Sequence, residues 1–179
     1  MSQAIDDLRH EHQVILTALD TLERMVARMD KGTAVAASAL KEFIGFLKDF
    51  ADTCHHGKEE GLLFPALKKA GIPQEGGPIG VMLSEHEQGR ALIRGMEQAV
   101  DAGPKAEAFK GAALEYCRLL RSHIEKENLV LFPAAERALA PGELQDLHRK
   151  FDEHEETVMG KGRHEELHEM LKRLKTRYS

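Results

Sequence analysis

His55-His-Gly-Lys-Glu59-Glu-Gly-Leu-Leu-Phe64-Pro65 and His123-Ile-Glu-Lys-Glu127-Asn-Leu-Val-Leu-Phe132-Pro133 align residue for residue, each carrying H-x-x-x-E ahead of an L-F-P turn. A shorter pair, Glu11-His12-Gln13 and Glu85-His86-Glu87, opens the helical stretch that precedes each of them. The chain is therefore one unit written twice: a histidine, then a His-x-x-x-Glu.

The flanking sequence gives these residues a helical setting. Ile5, Leu8, Ile15, Leu19, Leu22, Val26 and Met29 step by threes and fours, with one gap that His12 fills, so His12 points into the core and His10 does not. After Lys31-Gly32-Thr33 a second stripe runs through Leu40, Ile44, Leu47, Ala51, His55, Glu59, Leu62 and Ala66. The alternative register puts His56 above Lys48, Asp49 and Asp52 with Glu60 following, a charged side that predicts solvated positions for both.

The Gly- and Pro-dense segment Ala70–Pro78 separates two helical hairpins. A third helix carries Ile79, Met82, His86, Gly89, Ile93, Met96 and Val100 and closes at Asp101–Pro104. A fourth, from Lys105 to Leu139, aligns Phe109, Ala113, Tyr116, Leu120, His123, Glu127, Val130 and Ala134. Pro65 and Pro133 fall late in their helices and should bend or tighten them. Two further helical pieces, Glu143 to Met159 and Arg163 to Arg177, are divided by Gly160-Lys-Gly162. The expected fold is all-α, an up-down-up-down four-helix bundle over residues 1–140 with a C-terminal helical extension, 141–179, packed on it.

Residues i and i+4 share a helix face, so each His and Glu pair can serve one cluster, and four helices can bring His12, His55, Glu59, His86, His123 and Glu127 to one level. Two carboxylates among four imidazoles in an apolar core would leave charge costing on the order of several kcal/mol per ion without a compensating cation. Ligands of this type, without thiolate, suit iron, manganese or zinc better than calcium or magnesium. Six of them exceed a closed structural zinc site and imply two ions with open positions for a small molecule.

Composition agrees. The 179 residues suffice for a full core, and 31% charged with 5% aromatic residues and no Trp favours helix over sheet. The net charge of -5, with acids and bases interspersed, argues against nucleic acid as a partner. Cys54 and Cys117 read as reduced, buried thiols, and neither a secretory leader nor a membrane span is evident, so a cytoplasmic, membrane-free setting is expected.

These residues resemble the hemerythrin-like, or HHE cation-binding, family: Glu11-His12, His55-x-x-x-Glu59 with Leu-Phe-Pro, Glu85-His86, and His123-x-x-x-Glu127 with Leu-Phe-Pro. The resemblance implies two non-haem iron ions with an oxo or hydroxo bridge, the glutamates bridging and the histidines terminal, and an open position for dioxygen, nitric oxide or peroxide. Binding or sensing of dioxygen is the first function it implies. The sequence departs from the oxygen-carrying members in having Arg90 where their third helix looks like H-x-x-x-H, which removes a fifth histidine. His154 and His164, on the apolar stripes of the tail, are the candidates to replace it, although ordinary packing of the tail on the bundle is the plainer reading of both; Tyr116 could support His123 from behind, with a plain core tyrosine the favoured reading.

Two rival readings remain. Hemerythrin-like proteins that repair iron-sulfur clusters damaged by nitric oxide or peroxide also use paired H-x-x-x-E, although they carry a cysteine-bearing N-terminal extension not found here. His164-Glu165-Glu-Leu-His168 matches the helical zinc-protease motif H-E-x-x-H, but only 11 residues follow it to supply a third ligand and a cleft. A ferritin-like oxidase fails on pattern, because its paired E-x-x-H is absent from the bundle helices.

Overall fold

The computed structural model describes residues 2–101 and 106–179, and every regular element among them is helical. α1 spans Gln3–Asp30. α2 (Ala37–Phe46) continues through two stretches of widened, π-type turns, Leu47–His56 and Glu59–Leu63, into α3 (Phe64–Lys69). α4 is Pro78–Asp101. α5 (Ala106–Lys126) passes through a third widened turn, Glu127–Leu131, into α6 (Phe132–Ala138), and α7 (Pro141–Met159) and α8 (Arg163–Arg177) form the tail. The expected close of the third helix at Ala102–Pro104 lies outside the described residues.

Side-chain pairs fix the directions of neighbouring helices. Arg9–Glu136, His12–Asn128, Asp20–Arg121 and Asp30–Lys110 show that α1 runs opposite to the α5–α6 rod. Lys41–Asp101, Lys48–Glu97 and Arg90–Asp52 do the same for α4 against the α2–α3 rod.

The prolines act through the turn before them. Proline has no N–H to donate, and its ring crowds the carbonyl of i−4, so the preceding turn opens to i→i+5: Phe64 N–H reaches Glu59 O, and Phe132 N–H reaches Glu127 O. Each opening inserts about one residue into the helical phase. A strict 3.6-residue count put Leu62, Ala66, Val130 and Ala134 on the inner face. The buried residues are instead Leu63, Phe64, Leu67, Leu131, Phe132 and Ala135, and Val130 is 55% exposed.

Two apolar clusters form the interior. One gathers Ile15, Leu19, Leu22, Phe43, Leu47, Phe50, Ile93, Met96, Phe109 and Leu120, and the other Leu8, Leu63, Phe64, Met82, Leu131 and Phe132. Along every rod the switch between them falls where His12, His55 to Glu59, His86, and His123 to Glu127 stand. A buried polar layer thus lies between two dry cores. The tail covers one side of it: Leu147 and Phe151 of α7 join the second cluster, while Leu167, Leu171 and Leu174 of α8 join the first. Gly160 and Gly162 take φ of 76° and 85° to turn one tail helix into the next, a conformation that side chains disfavour. No described helix is long and apolar enough to cross a membrane.

Candidate metal centre

His12, Glu59 and Glu127 are wholly inaccessible, and His55, His86 and His123 are each 1% exposed. All six residues expected from the sequence therefore meet in the polar layer. Their ligand atoms, with those of His56, form two groups whose members lie within 4.8 Å of one another: His12, His55, Glu59 and Glu127, and His56, Glu59, His86 and His123.

The carboxylates lie between the groups. Glu59 places Oε1 3.7 Å from His55 Nε2 and Oε2 3.4 Å from His86 Nε2. Glu127 Oε2 lies 3.1 Å from His12 Nε2 and 3.3 Å from His123 Nε2. Each glutamate thus faces imidazoles of both halves.

Every one of these histidines turns its Nδ1 outward to an oxygen. His55 donates to Glu11 at 2.7 Å, His123 to Glu85 at 3.0 Å, His86 to Glu60 at 2.6 Å and His12 to Asn128 Oδ1 at 3.0 Å, with a longer 3.4 Å approach of His56 to Asp52. Carboxylate and amide oxygens only accept, so the hydrogen sits on Nδ1 and Nε2 is turned inward, where the neutral form of the ring offers a lone pair. This is the outer support that orients metal-ligating histidines. The partners obey the repeat: Glu11 and Glu85 are equivalent, as are Glu60 and Asn128.

The imidazoles and carboxylates of the centre shift one another's titration. Burial opposes charge on His55 and His123, yet Glu59 and Glu11 hold the first above its ordinary value, and Glu127 with Glu85 raises the second to about 10. Burial likewise opposes ionisation of Glu127, but His123 and His12 pull it well below the usual carboxylate range. His56 goes the other way, depressed by burial and then by His86, His55 and His123. Without metal, protons on His55 and His123 offset the buried carboxylate charge, and a cation bound between the Nε2 atoms and the carboxylates takes over that role. The donor set is imidazole and carboxylate, with Cys54 in neither group, which suits iron, manganese or zinc.

His56 corrects the sequence reading. It is 3% exposed, not solvated, its ring stacks on His86 with centroids 3.8 Å apart, and its Nε2 has no hydrogen-bond partner among the described residues. The widened turns from Leu47 to His56 bring two successive histidines inward, which a 3.6-residue helix does not do. Glu60 is also half-buried and occupied by His86 rather than by solvent. Arg90, where a histidine was missed, bonds Asp52 and Glu60 and so holds the outer partners of His56 and His86.

The tail histidines stay outside. His154 Nε2 faces the Thr53 carbonyl at 3.2 Å, and His164 Nδ1 faces Glu155 at 3.2 Å. His164 and His168 pack on the Phe50 ring, and neither belongs to a metal-capable group. Tyr116 is buried among apolar residues with no hydrogen bond from its hydroxyl among the described residues, so it is a core tyrosine. Lys58, which the sequence reading passed over, is 3% exposed and bonded to Glu11 at 2.5 Å. Its signal was available, because Lys126 occupies the equivalent repeat position and likewise bonds Glu85.

Comparison with known proteins follows the same outline. The chain is 27% identical over 165 residues to the uncharacterized protein Rv1995 of Mycobacterium tuberculosis and, equally, to the uncharacterized protein Mb2018 of Mycobacterium bovis, covering 88% of this chain and 63% of each relative's length. It is 40% identical over 88 residues to the iron-sulfur cluster repair protein YtfE of Salmonella newport, covering 45% of this chain and 40% of that protein. The family description "Hemerythrin HHE cation binding domain" matches residues 3–135, the whole of the ligand-bearing part. This chain belongs to the hemerythrin HHE cation-binding domain family.

Proposed function

We propose that the protein holds two iron ions in its buried polar layer and binds or senses dioxygen, or a related small ligand, there. His12 and His55 would hold one ion and His56, His86 and His123 the other, with Glu59 and Glu127 placed to serve either. The observation that carries this reading is the convergence of five outward-anchored imidazoles on two buried carboxylates whose oxygens have no hydrogen-bond donor among the described residues. We read the four ligand-bearing rods as an up-down-up-down bundle, residues 1–140, with 141–179 as an added extension.

His56 supports the oxygen reading in particular. With it the ligand histidines would divide three to two, which supplies the fifth histidine that Arg90 removes from the oxygen-carrying pattern. A paired iron centre supplies reversible electron transfer and an unfilled position for a small ligand. The chain's own part is to fix imidazole tautomers through Glu11, Glu85, Glu60 and Asn128, and to exclude water. Phe132 lies flat over His12, ring centroids 5.2 Å apart, and Phe64 over His86 at 5.9 Å. These rings close the apolar side of the layer.

The test is optical. Iron-loaded protein, reduced without air, should gain a visible band when oxygen is admitted and lose it when oxygen is removed, and His12→Ala should abolish the band. The partial similarity to the cluster repair protein favours a second reading, repair under nitric oxide or peroxide stress. Irreversible bleaching by oxygen, with recovery of a nitric-oxide-damaged iron-sulfur protein on mixing, would favour that role.

A further inference from the structure

Glu155 lies in α7, beyond the residues 3–135 that match the family, yet a chain of charged groups links it to the buried layer. Its Oε2 accepts from Lys58 Nζ at 2.8 Å, Lys58 donates to Glu11 Oε1 at 2.5 Å, and Glu11 Oε2 accepts from His55 Nδ1 at 2.7 Å. Glu155 Oε1 is held in turn by His164 Nδ1 at 3.2 Å. Gly57 leaves room for a side chain of α7 beside this link: a Cβ at that position would stand 2.7 Å from His154 Nε2.

The internal repeat supplies the control. Lys126, Glu85 and His123 reproduce Lys58, Glu11 and His55, but among the described residues no tail side chain bonds Lys126, whose side chain is 37% exposed against 3% for Lys58. The tail therefore completes one half of the centre and leaves its twin open to water. A buried lysine with a single carboxylate would compete with His55 for both oxygens of Glu11; a second carboxylate shares that lysine and leaves Glu11 Oε2 to the imidazole.

We propose that Glu155 is a positioning residue for His55, acting through Lys58 and Glu11, so that the C-terminal extension fixes the metal-binding geometry of the His12–His55 half. The proposal rests on the two-ion reading above. Removal of an outer partner of a ligand histidine costs about 10-fold or more in metal retention, and here the loss falls on one ion of the two.

The experiment uses the full chain loaded with zinc as a diamagnetic probe. Zinc release to a chelator is followed in the parent, Glu155→Ala, Glu155→Gln and Lys126→Ala, with histidine Nδ1–H resonances recorded in parallel. Glu155→Ala should release one of two zinc ions about 10-fold faster and move the His55 signal but not that of His123. Glu155→Gln, which keeps an acceptor for Lys58, should recover the parent's rate and spectrum, and Lys126→Ala should move His123 instead. Glu155 is 29% exposed at the edge of a helix, so alanine is compatible with folding. Two zinc ions in the parent with unchanged release and an unmoved His55 signal in Glu155→Ala would overturn the proposal while the metal centre stands. A parent that takes up no zinc would overturn both.

Discussion

His86 and His123 face each other Nε2 to Nε2 at 3.1 Å, each with its Nδ1 bound outward to a glutamate. With both Nδ1 atoms protonated, two lone pairs meet across that gap, a repulsive arrangement that a shared proton or a cation removes. The neighbouring Glu59 and Glu127 oxygens have no donor of their own among the described residues. A cation bound here satisfies both imidazoles and both carboxylates at once.

His56→Ala should therefore cost metal. With three histidines on one ion, its loss should take that half from full to partial occupancy, as His86→Ala should, and reduce metal per chain from two toward one. Elemental analysis after dialysis checks it. A full complement in His56→Ala would return that residue to the role of packing partner for His86.

Arg90→Ala should act on the same half without touching a ligand. Its guanidinium bonds Asp52 at 2.8 Å and Glu60 at 2.6 Å, so its removal frees the outer partners of His56 and His86. Metal release to a chelator should quicken by about 10-fold for one ion, measured beside Arg94→Ala as a surface control.

How far the sequence carried the reading is visible at these positions. The aligned H-x-x-x-E segments displayed His55, Glu59, His123 and Glu127, because i and i+4 share a face in any helix. His56 was hidden because its burial depends on the widened turns of Leu47–His56, which a fixed 3.6-residue period cannot register. The same one-residue slip moved the inner face from Leu62 to Leu63 and from Val130 to Leu131. Lys58 was hidden for another reason: a lysine enters a core only when partners await it, and one of those, Glu155, is far away in sequence.

Phe132 is inaccessible and stacks on His12. Phe132→Ala should lower the unfolding free energy of the metal-free protein by about 3–5 kcal/mol, read from denaturant titration. Its metal-loaded form should also release the ion at His12 more readily, since the ring no longer restrains that imidazole.

Burial pushes both thiols up, Cys54 and Cys117 each to about 12. A raised thiol pKa leaves the thiolate scarce at neutral pH, so labelling by an alkylating reagent should be slow at pH 7 and grow as pH rises toward that value. Rapid labelling of the native protein at pH 7 would contradict the burial of these residues. Denatured protein provides the fully reactive reference.

His164→Ala with His168→Ala should leave metal content at two per chain, because these rings pack on Phe50 away from the polar layer. A modest fall in melting temperature from lost tail packing is the expected effect. Loss of one metal equivalent would revive the H-E-x-x-H reading.

The measurement that bears most directly on the account is iron content per chain after anaerobic loading, in the parent and in Glu59→Ala. Glu59 faces both halves, so the account predicts two irons in the parent and loss of both, or a single weakly held one, in the variant. One iron per parent chain, or two irons retained without Glu59, would contradict a paired centre spanned by that carboxylate.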